Sequence, residues 1–334
     1  MKIHYFSGEG WEEEYVRAKL PEEEIAFHEG SLAAFPELAD PDATVLCTFI
    51  ESKIGEDEMK RFPALKLIAT RSTGFDHIDL AAATARGIAV ANVPFYGENT
   101  VAEFTFALLL ALSRRVIDAD ERVRETGTFS HDNLRGFDLA GKTIGVVGCG
   151  HIGMHVIRMA NGFGMKVLGF DVNRNDNLAR TLNFTYMTLP ELFAAADIVT
   201  LHVPYNAHTH HLINQENIGT FKKGSYLINT SRGAVVETQA LIEALESGIL
   251  TGAGLDVLEE EGELNDEAAL FTAPHPNAEA IKIALENHYL IEHPRVIVTP
   301  HLAFNTREAV ERILNTTMEN IRNFGAGSPT NIVA

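Results

Sequence analysis

Cysteine, tryptophan and positive charge are scarce in this chain of 334 residues. The two cysteines, Cys47 and Cys149, lie far apart in sequence, which excludes a disulfide framework and a cysteine-rich metal site. Lys and Arg number 27 against 46 Asp and Glu, a formal net charge of −19. Such an excess opposes nucleic acid and acidic membranes as partners, though a local basic pocket for one small anion stays open. Long apolar runs are missing too. The greasiest stretch, Phe104 to Leu112, is too short to span a bilayer. The opening residues MKIHYFSGEGWEEEYV carry no apolar signal segment. A reduced, cytoplasmic protein is the expectation. No low-complexity linker interrupts the chain.

What is present is enough apolar residue, 46%, for a folded globular protein, and enough length for two domains. Short apolar runs alternate with helical spacing. Ile3–Phe6, Val45–Phe49, Leu67–Thr70 and Ile88–Val90 read as strands, and Trp11–Leu20, Gly55–Phe62 and Ile78–Arg86 as helices. That rhythm predicts a small α/β domain with a parallel sheet, and a second domain beginning near residue 100. Thr100–Arg115 is apolar around more than one face and is expected to be buried on several sides, as a helix between domains, at a subunit interface or in a core. The tail Ser328–Ala334 reads as irregular.

The most informative stretch is Lys142 to Asp171, KTIGVVGCGHIGMHVIRMANGFGMKVLGFD. Ile144–Val147 reads as a buried strand. Gly148-Cys149-Gly150-His151-Ile152-Gly153 follows, then helical spacing of Ile152, Val156, Met159 and Phe163, then a strand Val167–Phe170 ending at Asp171. Strand, glycine turn, helix, strand, acid is the order of a dinucleotide-binding unit. Gly148 allows the tight turn, Gly150 lets the backbone approach a pyrophosphate, and Gly153 lets the helix pack near the sheet. The pyrophosphate is expected at the helix N-terminus, where free N–H groups and the dipole favour anions. Asp171, 18 residues after Gly153, suits the ribose hydroxyls of NAD and repels the extra phosphate of NADP. Cys149 reads as a small buried residue in the turn. A glycine-rich turn in an unrelated sheet with a surface acid at Asp171 is the plainer alternative.

The pattern continues with a Thr188-Leu189-Pro190-Glu191 helix start, a strand Ile198–Val203, a helical segment over 214–223, strands Tyr226–Asn229 and Ala253–Val257, and a helix Thr238–Ser247 between them. Gly148, Asp171, Pro204, Thr230 and Asp256 all fall at strand ends, where open parallel sheets bind ligands. His208, Thr209, His210 and His211 form a histidine-dense stretch, but no acid or cysteine at a familiar spacing joins them, so no metal is expected.

Beside a dinucleotide, hydride transfer needs a cation for a substrate carboxylate, a proton donor for the carbonyl oxygen and a support for that donor. Arg232 suits the first, His301 the second and Glu261 the third. Spacing alone does not decide whether they meet. A surface arginine, a solvated acid and an ordinary histidine read the same way.

Seven segments together carry a specific resemblance: RSTGFDHIDL, NVPFYGENTVAEFTFALLLALSR, GKTIGVVGCGHIG, DIVTLHVP, INTSRGAVV, GAGLDVLEEE and VTPHLAFNT. The chain resembles the D-isomer-specific 2-hydroxyacid dehydrogenase family over nearly its whole length. The resemblance implies a fold class of α/β with two Rossmann-like domains, open parallel sheets and a cleft between them. Residues 1–100 plus 303–334 would be the substrate-binding domain and 101–302 the NAD-binding domain. It implies Arg232 as the substrate-binding arginine, Glu261 as the catalytic glutamate and His301 as the acid/base. It places Gly148, Gly150, His151, Ile152, Gly153, Asp171, Val203, Pro204, Thr209, Thr230, Ser231, Arg232 and Asp256 on the cofactor, with Asp256 receiving the nicotinamide carboxamide. Backbone groups at Ser72, Thr73 and Gly74 would hold the substrate carboxylate. A homodimer through the NAD-binding domains is implied as well.

Asn92-Val93-Pro94-Phe95-Tyr96 and His301-Leu302-Ala303-Phe304 resemble the D-lactate dehydrogenase branch. Phe49, Tyr96 and Phe304 would then wall in a short 2-oxo acid side chain, or serve as ordinary core. Two departures stand out. Thr209 sits where some members of that branch have asparagine, and the segment between Glu261 and His301, with Pro274-His275-Pro276, reads as longer than usual. The expected reaction is NAD-dependent interconversion of pyruvate and D-lactate. Alternatives are a bulkier 2-oxo acid or glyoxylate as substrate, or a non-catalytic NAD-sensing protein.

Overall fold

The computed structural model describes residues 1–7, 10–261 and 278–334. The chain divides into two compact units, Met1–Gly97 with Asn305–Ala334, and Glu98–Phe304.

The first unit runs β1 (Lys2–Ser7), α1 (Gly10–Lys19), β2 (Glu24–Glu29), β3 (Val45–Thr48), α2 (Glu56–Lys60), β4 (Leu67–Thr70), α3 (Leu80–Ala85) and β5 (Ala89–Ala91). Its five-stranded sheet has the order β2-β1-β3-β4-β5, and every pair is parallel. Helices cover a parallel sheet on both faces, so its strands are apolar on both sides. Here Phe6, Leu46, Ile68 and Val90 enter one core, while Tyr5, Val45, Cys47, Leu67, Ala69 and Ala91 enter the other. Strand order reverses between β1 and β3, which puts the start of Phe49 beside the switch point.

The second unit runs α4 (Glu98–Arg114), α5 (Val116–Thr126), β6 (Thr143–Val147), α6 (His151–Gly162), β7 (Lys166–Phe170), α7 (Asp176–Leu182), β8 (Thr185–Tyr186), α8 (Leu189–Ala195), β9 (Ile198–Leu201), β10 (Ser225–Asn229), α9 (Thr238–Glu246), β11 (Leu250–Leu255), α10 (Ala278–Glu292) and β12 (Val296–Val298). The seven strands are ordered β12-β11-β10-β9-β6-β7-β8, again all parallel. The reversal between β6 and β9 is the Rossmann arrangement. Alternation serves the two cores: Val147, Val199 and Leu227 on one face, Val146, Ile198 and Ile228 on the other. The apolar helix is α4. Its Phe106, Leu108 and Leu109 pack in the second core, and Leu108 lies so near Gly254 of β11 that an added Cβ would stand 3.1 Å away. The last helix, α11 (Arg307–Gly325), belongs to the first unit.

Three elements differ from expectation. No strand is expected between Pro21 and Val45, yet β2 pairs with β1 from Lys2–Glu24 to Ser7–Glu29. Its charged ends hide it, and an edge strand tolerates them. The helix expected over 214–223 is only a single 3-10 turn, Ile218–Thr220. Asparagine side chains compete for the backbone there: Asn217 Nδ2 donates to the Leu212 carbonyl at 2.8 Å, and Asn214 Nδ2 to that of His211 at 2.9 Å. The tail is not irregular throughout. Val90 N–H donates to Ala334 O at 3.0 Å, Val333 N–H donates to Val90 O at 2.8 Å, and Ile332 forms an antiparallel bridge to Ala91. Of the segment between Glu261 and His301, Pro274-His275-Pro276 lies outside the described residues.

One buried ion pair anchors α1 to the first sheet. Arg71 follows β4, and its Nη1 donates to Glu12 Oε2 at 2.6 Å while Nη2 donates to the Phe6 carbonyl at 2.6 Å. The Tyr5 hydroxyl donates to the same carboxylate at 2.7 Å. The guanidinium also lies over the rings of Tyr5 and Phe49. Removing one partner strands a buried charge, so Glu12→Leu is expected to cost about 3–5 kcal/mol. Glu12→Leu with Arg71→Met should recover most of that loss. Urea unfolding of the intact chain measures both; an unchanged midpoint in the single variant would show that the pair does not hold α1.

Candidate active site

The glycine turn is built as its residues require. Gly148 has φ +93°, and an added Cβ would stand 2.4 Å from the His202 carbonyl oxygen. Gly153, in the first turn of α6, lies under the Gly148 carbonyl, 2.0 Å from where its own Cβ would be. A side chain at either place collides with backbone. Gly150 is the opposite case: an added Cβ meets nothing within 4 Å. The turn is therefore closed toward the sheet and open at Gly150, just before the α6 N-terminus. That is the opening a pyrophosphate needs against free N–H groups.

Asp171, at the end of β7, joins this turn. Its Oδ2 accepts from Cys149 N–H at 2.8 Å and its Oδ1 from Asn173 N–H at 2.8 Å. Cys149 is buried, and burial, followed by the Asp171 charge, pushes its thiol up to about 12. It is packing, not a nucleophile. His151 is exposed and Ile152 half-buried at the start of α6, and Val203 borders Gly148. Pro204 is exposed, and the Thr209 hydroxyl donates to its carbonyl at 2.6 Å and accepts from Asn206 N–H at 2.8 Å. Thr209 thus fastens its own loop.

Beyond β10, Thr230, Ser231 and Arg232 are shaped by a residue that motif reading passed over. Asn229 is buried; its Oδ1 accepts from Ser231 N–H at 3.0 Å and from the Ser231 hydroxyl at 2.7 Å, and its Nδ2 donates to the Arg232 carbonyl at 2.9 Å. An asparagine bonding backbone two residues on is a turn signal that the sequence does contain. Thr230 Oγ1 lies 3.0 Å from Thr105 Oγ1 on α4. Arg232 Nη1 donates to the Ser231 carbonyl at 2.8 Å.

Two members of the expected trio meet directly. His301 Nδ1 is 2.5 Å from Glu261 Oε1. With the Nδ1 proton given to the carboxylate, Nε2 is the ring nitrogen left for proton exchange. His301 has a left-handed backbone, φ 48°, which a non-glycine residue adopts only where its surroundings enforce it. Asp256 does the enforcing. Its backbone carbonyl accepts from His301 N–H at 2.8 Å. Its carboxylate accepts from the Thr299 hydroxyl at 2.6 Å, Leu302 N–H at 3.0 Å and Ala303 N–H at 2.8 Å. Burial raises its pKa, while these hydrogen bonds and nearby His301 pull it down. A carboxylate has about four acceptor sites, so three bonds to the His301 loop leave room for one more.

Arg232 joins the pair through backbone. A Cβ at Gly233 would stand 2.0 Å from the Leu258 carbonyl oxygen and 2.3 Å from Glu259 N. The arginine loop and the segment leading to Glu261 are therefore in close contact, and only glycine fits between them. Phe304 is half-buried at the end of the His301 loop.

The remaining predicted residues lie in the first unit. Ser72, Thr73 and Gly74 follow β4 as a pinned loop. The Ser72 hydroxyl donates to Gly74 O at 2.6 Å and lies 2.7 Å from Thr70 Oγ1; Thr73 Oγ1 donates to Val93 O at 2.7 Å; Asn92 Nδ2 donates to Thr73 O at 2.8 Å. Buried Asn320 of α11 in turn donates to Asn92 O at 2.8 Å. Phe49 and Tyr96 are half-buried at the ends of β3 and β5, and Arg312 donates to the Tyr96 carbonyl. Among the described residues no group of three or more His, Cys, Asp and Glu side chains is arranged to hold a metal ion. In the histidine-dense stretch His211 pairs with Glu259, and His210 lies 3.2 Å from the Tyr205 hydroxyl. No helix among the described residues is long and apolar enough to cross a membrane.

Residues 106–303 match the family described as D-isomer specific 2-hydroxyacid dehydrogenase, NAD binding domain. Relatives agree. A 2-hydroxyacid dehydrogenase homolog of Schizosaccharomyces pombe is 39% identical over 332 residues, covering 98% of this chain and 97% of its own. A glyoxylate reductase of Thermofilum pendens is 39% identical over 289 residues, covering 85% of this chain and 78% of its own. Among solved structures, the D-lactate dehydrogenase of Aquifex aeolicus, complexed with NAD and lactic acid, superimposes with a TM-score of 0.87 at 35% identity, covering 99% of this chain and 98% of that one. The chain belongs to the D-isomer-specific 2-hydroxyacid dehydrogenase family. It is a two-domain, NAD-dependent oxidoreductase acting on a CH–OH group, and NAD is its cofactor.

The close approach at Gly153 gives a direct test. Gly153→Ala must push the Gly148 carbonyl and with it the turn. Affinity for NADH is expected to fall at least about tenfold, which corresponds to ~1.4 kcal/mol. Titration calorimetry reads it; undiminished affinity would mean that the turn does not hold the cofactor.

Proposed function

We propose that the protein interconverts pyruvate and D-lactate with NAD, using His301 as acid/base. The observation that carries this reading is the His301–Glu261 contact at 2.5 Å on a loop braced by Asp256. The Aquifex aeolicus likeness supports the choice of substrate.

Arg232 binds the substrate carboxylate, its planar fork matching two oxygens. N–H groups of Ser72, Thr73 and Gly74 bind it as well, and Phe49, Tyr96 and Phe304 line its short side chain. Gly148, Gly150, His151, Ile152 and Gly153 seat the pyrophosphate, and Asp171 accepts from the ribose hydroxyls, which selects NAD over NADP. Val203, Pro204, Thr209, Thr230 and Ser231 border the cofactor, and the remaining acceptor site of Asp256 meets its carboxamide. Hydride for C2 is the chemistry that NADH contributes when bound. Protonated His301 donates from Nε2 to the carbonyl oxygen as charge develops there, and Glu261 stabilises the imidazolium throughout. In the reverse direction neutral His301 accepts the hydroxyl proton. Residues 1–100 with 303–334 act as the substrate domain in this reading, and 101–302 as the cofactor domain.

A second reading, reduction of glyoxylate or a bulkier 2-oxo acid, draws on the Thermofilum pendens relative. The cysteines, both buried and unpaired, support a cytoplasmic setting. A homodimer built on the cofactor unit is supported by α5. It buries no residue, its Val116, Ile117 and Val123 are exposed, and Phe129 beyond it is 90% exposed. Apolar side chains grouped this way mark an interaction surface.

Stereospecific steady-state kinetics with pyruvate, glyoxylate, branched and aromatic 2-oxo acids, each with NADH and NADPH, decides the substrate. Pyruvate with NADH should give the highest kcat/KM and D-lactate as product; a higher value for another acid would defeat the lactate assignment. His301→Ala should lower kcat about 100- to 10,000-fold and leave NADH affinity near that of the parent. Near-normal turnover would remove the acid/base role. For the assembly, light scattering should give twice the chain mass, and Phe129→Glu should shift it toward one; a monomeric parent protein would refute the dimer.

A further inference from the structure

We propose that Glu259 is a positioning residue for catalysis, holding Glu261 against His301, and that His211 holds Glu259 in turn. The inference rests on the acid/base reading of His301 and Glu261 above.

Glu259 stands two residues before Glu261 and is only 9% exposed. Both carboxylate oxygens are engaged by other parts of the unit. Oε1 lies 2.6 Å from His211 Nε2, in the loop that follows β9. Oε2 accepts from the Thr238 hydroxyl at 2.8 Å and, at 3.4 Å, from the Thr238 N–H in the first turn of α9. A helix N-terminus favours a carboxylate there. The Glu259 carbonyl accepts from the fully buried Asn287 Nδ2 of α10 at 2.8 Å. One residue is thereby tied to three elements remote in sequence.

The tied segment is the one that sets the catalytic geometry. On one side Leu258–Glu259 lies against Gly233, next to Arg232, with no space for a Cβ between them. On the other side Leu258 N–H donates to Glu261 Oε2 at 3.2 Å, while Oε1 of the same carboxylate meets His301. Glu261 is held between this backbone and the imidazole, so a shift of the segment moves the carboxylate off the ring. Its side chain is over a third exposed, at 37%, and has little packing of its own to keep it in place. Glu260 and His211 both have left-handed backbones, φ 50° and 47°. Such conformations persist only where the surroundings impose them. The His211–Glu259 contact links the two strained segments. His210 stacks on His211 with ring centroids 3.9 Å apart. On α10 the Glu286 carboxyl, beside Lys282, feels the Glu259 charge; burial, more than the charges of Glu279 and Glu259, raises its pKa, and Lys282 lowers it.

The test compares pH profiles of kcat/KM for 2-oxo acid reduction in the parent, Glu259→Gln, Glu259→Ala, His211→Gln, His211→Ala and Glu261→Gln. Reduction needs protonated His301, so the alkaline limb of the profile reports the loss of that proton. A carboxylate held against the ring favours the protonated form, and a displaced one favours it less. Both Glu259 variants should move the limb to lower pH and reduce kcat by about tenfold or more, with NADH affinity within about twofold of the parent by fluorescence titration. His211→Gln, which keeps a donor for Glu259, should retain more activity than His211→Ala. Folded Glu259 variants with the parent's limb would overturn the inference when Glu261→Gln moves the limb. If Glu261→Gln leaves it in place, the acid/base reading fails and the inference falls with it. Should Glu259→Ala not fold, Glu259→Gln and the His211 pair decide the matter by the same criteria.

Discussion

Parallel pairing is the constraint on which the rest depends. When every strand of a sheet runs the same way, all their C-terminal ends share one edge, and the loops leaving that edge are neighbours however far apart they are in the chain. In the second unit this edge gathers the glycine turn after β6, Asp171 after β7, His202 and Val203 after β9, Thr230–Arg232 after β10, Asp256 after β11 and His301 after β12. The register of β10 with β11, Asn229 opposite Leu255, puts the arginine loop beside the segment that runs on to Glu261. Likewise β11 pairs Leu255 with Val298, which brings Asp256 to the loop it braces.

Backbone crowding then turns neighbouring loops into a site. At Gly148, Gly153 and Gly233 the chain passes other backbone at distances that no side chain permits. These contacts remove freedom from the loops without using any polar group that the chemistry needs. Asn229 and Asp256 complete the restraint by giving side-chain acceptors and donors to loop backbone, and the Glu259 carbonyl accepts from the Asn287 side chain. Preorganised groups cost no reorganisation when charge develops, which is the usual source of electrostatic catalysis. The strained backbone of His301 is the sign that this restraint does work against local preference.

Much of this was legible before any fold was known. Glycines at 148, 150 and 153 with an acid at 171 declare their unit because each obeys a short-range rule: a turn, an approach, a packing distance. Strands buried on both faces announce themselves as continuous apolar runs. Edge and tail elements were harder. The strand β2 has charged ends, and Ile332 and Val333 meet β5 across more than two hundred residues. The segment 214–223 has helical spacing, but its asparagines bond to backbone instead, a competition that apolar periodicity does not register.

The sequence by itself determined the class of fold, the cofactor turn and residue types suited to hydride transfer, because these follow from local spacing and side-chain chemistry. Only the tertiary structure decided that His301 meets Glu261, that Asp256 is largely spent on the His301 loop, and that Glu259 reaches His211, Thr238 and Asn287. Those pairings join segments dozens of residues apart. Strand order and register bring them together, and no local pattern encodes the distance between two loops that meet only at the edge of a sheet.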